Sequence, residues 1–191
     1  MLSRRRFLTR SAATACLLCG ARSAARGEAM LGDDGLYRQP WFLDSLLELA
    51  DDLVATTERK KRFAIMWELR GCPYCKETHL VNFAKPEIEN YVKERFDILQ
   101  LNIVGAREVT DFDGEKLPEK RLAEKYGVRF TPTIQFFPDS VAGLADKKPR
   151  DREVARGQGY LQPQHFLGLF RFVAERAYEK ESLRDYLKAN S

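Results

Sequence analysis

The four residues Cys72-Pro73-Tyr74-Cys75 constrain this chain more than any other stretch, because of what stands on either side of them. Ahead of them, Phe63-Ala64-Ile65-Met66-Trp67 is a nearly continuous apolar run of strand length, as expected for a strand buried on both faces of a sheet. Pro73 suits the first turn of a helix, where its missing N–H costs nothing, so a helix is expected from there to about Ala84. The cysteine pair therefore sits where a central strand hands over to a helix N-terminus. Unpaired N–H groups and the positive end of the helix dipole stabilise an anion there, and the thiolate is the reactive form of cysteine. Cys72 is accordingly the expected nucleophile. Cys75, one turn deeper, is the expected resolving cysteine, which attacks a mixed disulfide on Cys72 and releases the partner.

The other two cysteines, Cys16 and Cys19, fall in a segment that reads as an export signal over residues 1–25. It has a cationic start (Met1 to Arg10), an apolar stretch (Ser11 to Leu18) and small residues at Ser23, Ala24 and Ala25, with removal expected near Ala25. Within it, Ser3-Arg4-Arg5-Arg6-Phe7-Leu8 is similar to the twin-arginine signal, with Thr9 in place of the usual lysine. An ordinary secretory leader is the alternative, and either route puts the mature protein outside the cytoplasm. Cys72 and Cys75 then remain as the one possible internal disulfide. A bridge across so small a loop adds little chain-entropy stabilisation, so a redox or metal role explains the pair better than a structural staple. The metal reading would use Cys72, Cys75 and His79, which lies four residues after Cys75 on the same helix face, with His165 remote. Structural zinc takes four ligands, and this spacing follows no zinc pattern.

The net charge of +4 invites a nucleic-acid partner, but five arginines and no acid lie in the first 25 residues, and without them the balance is −1. Nucleic acid is dropped on that ground. No apolar run approaches the roughly 18 residues of a membrane helix, so the mature chain is expected not to span a membrane.

The remaining pattern gives one domain over about residues 41–180. Residues 26–40 lack apolar periodicity and read as a flexible tether. Trp41, Leu43, Leu46, Leu47, Leu49, Leu53 and Val54 recur at helical spacing, which predicts a helix from Trp41 to about Thr57. Pro86 opens a further helical segment to Arg95, and Phe96 to Asn102 reads as a strand parallel to the first. Val104 to Pro118 is expected to be a polar surface connection. A short helix from Glu119 to Tyr126 is stopped by Gly127. Arg129–Phe137 and Glu153–Gly157 read as an antiparallel pair. A closing helix from Pro163 to Tyr178 carries Phe166, Leu169, Phe170 and Val173 on one face, followed by a polar tail over residues 181–191. This order describes an α/β fold of three layers with a central mixed β-sheet flanked by helices.

In Phe130-Thr131-Pro132-Thr133-Ile134 a proline begins an apolar run, which places it at a sheet edge, a bulge or a strand start. A cis Thr131–Pro132 bond would turn the Thr131 backbone toward the thiols, where an extended substrate segment can pair with it. A strand, C-x-x-C at a helix start, T-P at the head of a later strand and a closing amphipathic helix together resemble the thioredoxin superfamily, over about Trp41 to Tyr178. More narrowly, Gly71 to Lys76, Val109 to Gly114, Phe130 to Thr133 and the leader are similar to the exported SoxW-type thioredoxins of bacterial sulfur oxidation.

That resemblance implies a periplasmic, monomeric dithiol reductase of protein disulfides, recharged by a membrane thiol-electron transporter and needing no bound cofactor. It also implies substrate binding at Thr131 and Pro132. Where thioredoxins carry a buried acid six residues before the first cysteine, this chain has Met66; Glu68 is the nearest acid and the candidate proton acceptor for Cys75. Pro73-Tyr74 is the dipeptide typical of glutaredoxins, but their glutathione-binding Gly-Gly and acidic pair are not evident after the T-P strand, which disfavours glutathione. A disulfide oxidase or isomerase differs from a reductase only in redox poise and stands as the alternative.

Overall fold

A computed structural model describes residues 29–190; the expected export signal lies outside the described residues. The segment read as a tether is ordered where it is described. β1 (Met30–Leu31) and β2 (Tyr37–Arg38) form an antiparallel hairpin closed by Gly35 at φ +78°, and Leu36 and Gln39 are buried against the domain. This strap was invisible as a pattern because its anchors are single side chains, not a periodic stripe. The helix expected from Trp41 begins eight residues later, as α1 (Leu49–Glu58). Ser45 Oγ takes the Leu47 N–H at 2.7 Å and donates to Asp52 at 2.6 Å, and Leu47 has φ +65°, so the chain turns there and leaves Leu46 93% exposed.

β3 (Arg62–Glu68) is buried along six consecutive residues, as a strand with neighbours on both edges and helices on both faces must be. α2 (Pro73–Glu77) follows, but the expected continuation to Ala84 is a single π turn over Thr78–Asn82, in which the Phe83 N–H reaches Thr78 O at 3.0 Å. In that turn His79 and Asn82 are buried while Leu80 and Val81 are exposed. α3 (Pro86–Arg95) and β4 (Phe96–Asn102) stand where the sequence puts them. The connection after β4 is not merely a surface loop: β5 (Glu108–Thr110) and β6 (Lys116–Pro118) make a hairpin whose turn buries Asp111 and Phe112. α4 (Glu119–Lys125) ends at Gly127, φ +62°. β7 (Thr133–Phe136), β8 (Ala155–Gln158) and α5 (Pro163–Ala174) complete the expected order. The tail is also structured, as α6 (Leu183–Ala189), because Ser182 caps it and buried Tyr186 donates to Glu175 at 2.8 Å.

The central sheet runs β4-β3-β7-β8, with β3 and β4 parallel and the other neighbours antiparallel. Alternation along β3 divides the core in two. Ala64 and Met66 join Phe83, Ile88, Phe170 and Val173, under α3 and α5. Phe63, Ile65 and Trp67 join Leu53, Leu122 and Tyr126, under α1 and α4. The fold is therefore the expected three-layer α/β arrangement. By the same alternation Glu68 shares the Met66 face, one pleat nearer the end of the strand where the cysteines stand.

The β5–β6 hairpin is pinned by charge. Arg152, almost fully buried, donates to Asp111 and Asp113 at 2.8 Å each; Tyr126 Oη donates to Asp111 at 2.7 Å; Lys125 reaches both acids at 2.6 Å. Burial pushes the Asp113 carboxyl up, but hydrogen bonds from Lys125, Arg152 and the Glu115 N–H together hold it well below the usual carboxylate range. The stability Asp113 contributes is therefore complete above the unfolded carboxylate value of about 4 and is lost as pH falls through its depressed native value. Denaturant unfolding measured across acidic pH should show Asp113→Asn removing that part of the acid limb. Arg152→Ala, which strips a buried cation from two acids, should cost about 3–5 kcal/mol at neutral pH.

Candidate redox site

The site is assembled at one end of β3. Gly71, at φ +75°, turns the chain out of the strand, and a Cβ is disfavoured there on conformational grounds. Cys72 is the N-cap of α2, with its Sγ accepting the Cys75 N–H at 3.1 Å, so the local helix start and the sulfur position are one feature. Cys72 and Cys75 are joined as a disulfide with Cα atoms 5.3 Å apart, inside the normal range for a bridge. Cys72 is half-buried while Cys75 is only 4% exposed, so the second cysteine is the more shielded of the two.

The Thr131–Pro132 bond is cis, and Thr131 lies against the first sulfur. Its Oγ1 is 3.4 Å and its carbonyl oxygen 3.6 Å from Cys72 Sγ. Thus two sequence motifs 59 residues apart meet at one atom. Pro73 and Tyr74 are exposed, and the Tyr74 ring stacks on Tyr160 with centroids 6.0 Å apart. Phe130 is exposed just ahead of Thr131.

A buried polar group borders the same cavity as the disulfide. Glu68 is 0% and His79 1% exposed, and His79 Nε2 lies 3.0 and 3.1 Å from the two carboxylate oxygens. Gln100 Nε2, from β4, donates to the same carboxylate and to Tyr37 O. Gln39 meets the other ring nitrogen of His79 at 3.3 Å. Glu68, Cys72 and Cys75 together border a cavity of about 460 Å³, whose far wall is Leu31, Leu36 and Tyr37 of the strap. Met66, at the place of the thioredoxin acid, is packed in the core. Gln39 and Gln100 were missed because a lone glutamine carries no motif; the available signal was the helical spacing from Cys75 to His79, two turns of argument short of its partner.

The metal-carrier arrangement is not what these contacts form. His79 turns both ring nitrogens to Glu68 and Gln39, the sulfurs are bonded to each other, and His165 lines a separate cavity with Lys85 and Gln162. Among the described residues no cluster of three or more histidine, cysteine or acidic side chains could hold a metal ion, and no helix is long and apolar enough to cross a membrane.

A C-x-x-C redox disulfide at a helix start, facing a cis-proline on a mixed sheet between helical layers, defines a thioredoxin-like thiol-disulfide oxidoreductase. The chain matches the thioredoxin-like domain family over residues 49–174 and belongs to it. Among solved structures it is similar to a thioredoxin-fold protein from Helicobacter pylori, at 21% identity and a TM-score of 0.51, covering 73% of this chain and 97% of that one. It is also similar to a thioredoxin from Thermus thermophilus, at 22% identity and a TM-score of 0.46, covering 65% and 81%. No curated protein matches the sequence.

Glu68 is the acceptor for two buried donors. Glu68→Ala should cost about 1–3 kcal/mol for each donor left without a partner, whereas Glu68→Gln, which keeps a carbonyl oxygen, should cost less. Thermal unfolding of the two variants side by side reads the difference.

Proposed function

We propose that this protein is an exported dithiol reductase that opens disulfides in other proteins. The observation that carries the reading is the difference between the two cysteines: Cys72 is half-buried, with its sulfur beside Thr131, and Cys75 is almost fully buried. In the reduced form, the Cys72 thiolate attacks a sulfur of the partner disulfide and expels the other partner sulfur as a thiolate. Cys75 then gives up its proton, attacks Cys72 Sγ and releases the second partner thiolate, leaving the Cys72–Cys75 disulfide. Two electrons pass to the partner, and the reaction consumes no bound cofactor.

Thr131 and Pro132 offer a backbone edge for an extended partner segment beside Cys72, with Pro73 and Tyr74 contributing exposed contact surface. Glu68 is the proton acceptor for Cys75. It stands on the face that Met66 occupies, displaced one pleat toward the sulfurs, and both groups border one cavity. A membrane thiol-electron transporter would return electrons to the disulfide. The twin-arginine-like leader supports a periplasmic location, and its combination with the Gly71 to Lys76 and Phe130 to Thr133 motifs supports service to a sulfur-oxidation system as a monomer.

The test is turnover of an insulin disulfide with dithiothreitol as reductant. Cys72→Ser should fall to background, and Cys75→Ser, reduced and then freed of dithiothreitol before insulin is added, should accumulate a mixed disulfide with the partner, visible as a mass increase that added reductant reverses. Full activity in Cys72→Ser would refute the assigned nucleophile.

A further inference from the structure

The buried Glu68–His79 pair has a feature that the exchange reaction alone does not require: it is contacted from outside the family match, by Gln39 of the strap. Gln39 Nε2 lies 3.3 Å from both His79 Nδ1 and the His79 carbonyl oxygen. A carbonyl oxygen only accepts, so the amide nitrogen of Gln39 must face this side, and Nδ1 beside it must accept as well. The ring proton is then on Nε2, directed at the Glu68 carboxylate. Gln100 Nε2 also donates to that carboxylate, and Arg38 Nε holds Gln100 in turn at 2.8 Å. Two donors, His79 Nε2 and Gln100 Nε2, point at Glu68, and the other ring nitrogen of His79 faces the Gln39 amide donor.

We infer that Gln39 is a positioning residue for the redox site, holding His79 as the Nε2–H tautomer so that the Glu68 carboxylate is oriented to receive the proton of Cys75. This rests on the exchange reaction proposed above. In the resolving step the Cys75 S–H bond breaks, its proton passes to the Glu68 carboxylate, the Cys75–Cys72 bond forms and the partner leaves as a thiolate. The strap, ahead of residue 49 where the family match begins, is thereby part of the redox machinery.

The groups around the pair are few. Tyr37 from β2 stacks on His79 at 6.5 Å, and Lys76 lies 5.9 Å over that tyrosine ring. Phe42 and Phe83 close the imidazole at 5.6 and 5.7 Å. From β4 the pair meets Gln100, whose side chain is held by Arg38 and whose carbonyl accepts from Arg107 at 3.0 Å. Cys72 and Cys75 border the same cavity as Glu68. No second carboxylate faces the imidazole among these contacts, so a charge introduced at position 39 has a single nearby pair to act on.

The experiment mixes the reduced full-length chain, carrying Cys16→Ser and Cys19→Ser so that Cys72 and Cys75 are its two thiols, with a small aromatic disulfide that releases a coloured thiolate at each step, recorded in stopped flow across neutral pH. The first phase reports attack by Cys72 and the second reports resolution by Cys75. Gln39→Glu puts an acceptor where Gln39 offers a donor, which favours a proton on His79 Nδ1, so the pH profile of the second phase should move upward from that of wild type. Gln39→Leu should slow the second phase by about tenfold or more, as loss of an oriented proton acceptor does. The first phase should be unchanged in both. Second phases matching wild type in rate and pH dependence overturn the inference. A wild-type protein that releases no second thiolate removes the exchange reading, and this inference with it. Should both variants fail to fold, the ring ¹⁵N signals of His79 in the otherwise intact His165→Gln protein decide. A bare Nδ1 with a protonated Nε2 is expected, and a proton on Nδ1 contradicts the assignment.

Discussion

A carboxylate without exposed surface cannot stand alone in a protein interior, and the position of Glu68 imposes that requirement at the cavity it shares with the disulfide. Its acceptor capacity is met by two donors that a third element holds in place. The π turn after α2 carries His79, β4 supplies Gln100, and the strap secures both of those partners through Gln39 and Arg38. Two of these elements, the π turn and the strap, depart from regular structure or from the family match, and both lead to the same buried group.

The sulfur pair depends on the same framework from the other side. β3 ends at Glu68, Gly71 reverses the chain, and Cys72 caps α2 with its own sulfur. The sheet register sets β7 antiparallel to β3, with Thr133 opposite Trp67, so the cis-proline at the head of β7 arrives beside Cys72. Sheet order thus decides which residues meet at the first sulfur, and the buried network decides what lies behind the second. Exchange chemistry needs both: an accessible sulfur with a backbone edge beside it, and a shielded sulfur with somewhere for its proton to go.

Much of this was readable in the chain. The apolar run of β3, the crossover to β4, the T-P strand head and the apolar face of α5 have strong periodicity or fixed motif chemistry, and they gave the layers, the mixed sheet and the cysteine site. What escaped reading lacked either signal. The strap is held by Leu36 and Gln39 singly; the start of α1 is set by a serine hydroxyl and a left-handed Leu47 inside an otherwise helical pattern. Buried Asp111 and Arg152 look like surface charges in sequence because their pairing spans 41 residues. Glu68 and His79 were each singled out for a separate role, one as a base and one as a metal ligand, and only the fold shows them bonded to each other.

The central claim, that the Cys72/Cys75 dithiol works as a reductant of partner proteins, is tested most directly by the reduction potential of the Cys72–Cys75 couple. Equilibration of the protein against glutathione or dithiothreitol buffers, followed by thiol trapping, gives that value. The account predicts a potential near that of thioredoxin, about −270 mV. A value near the strong-oxidant end, about −120 mV, would contradict it and reverse the direction of electron flow assigned to the site.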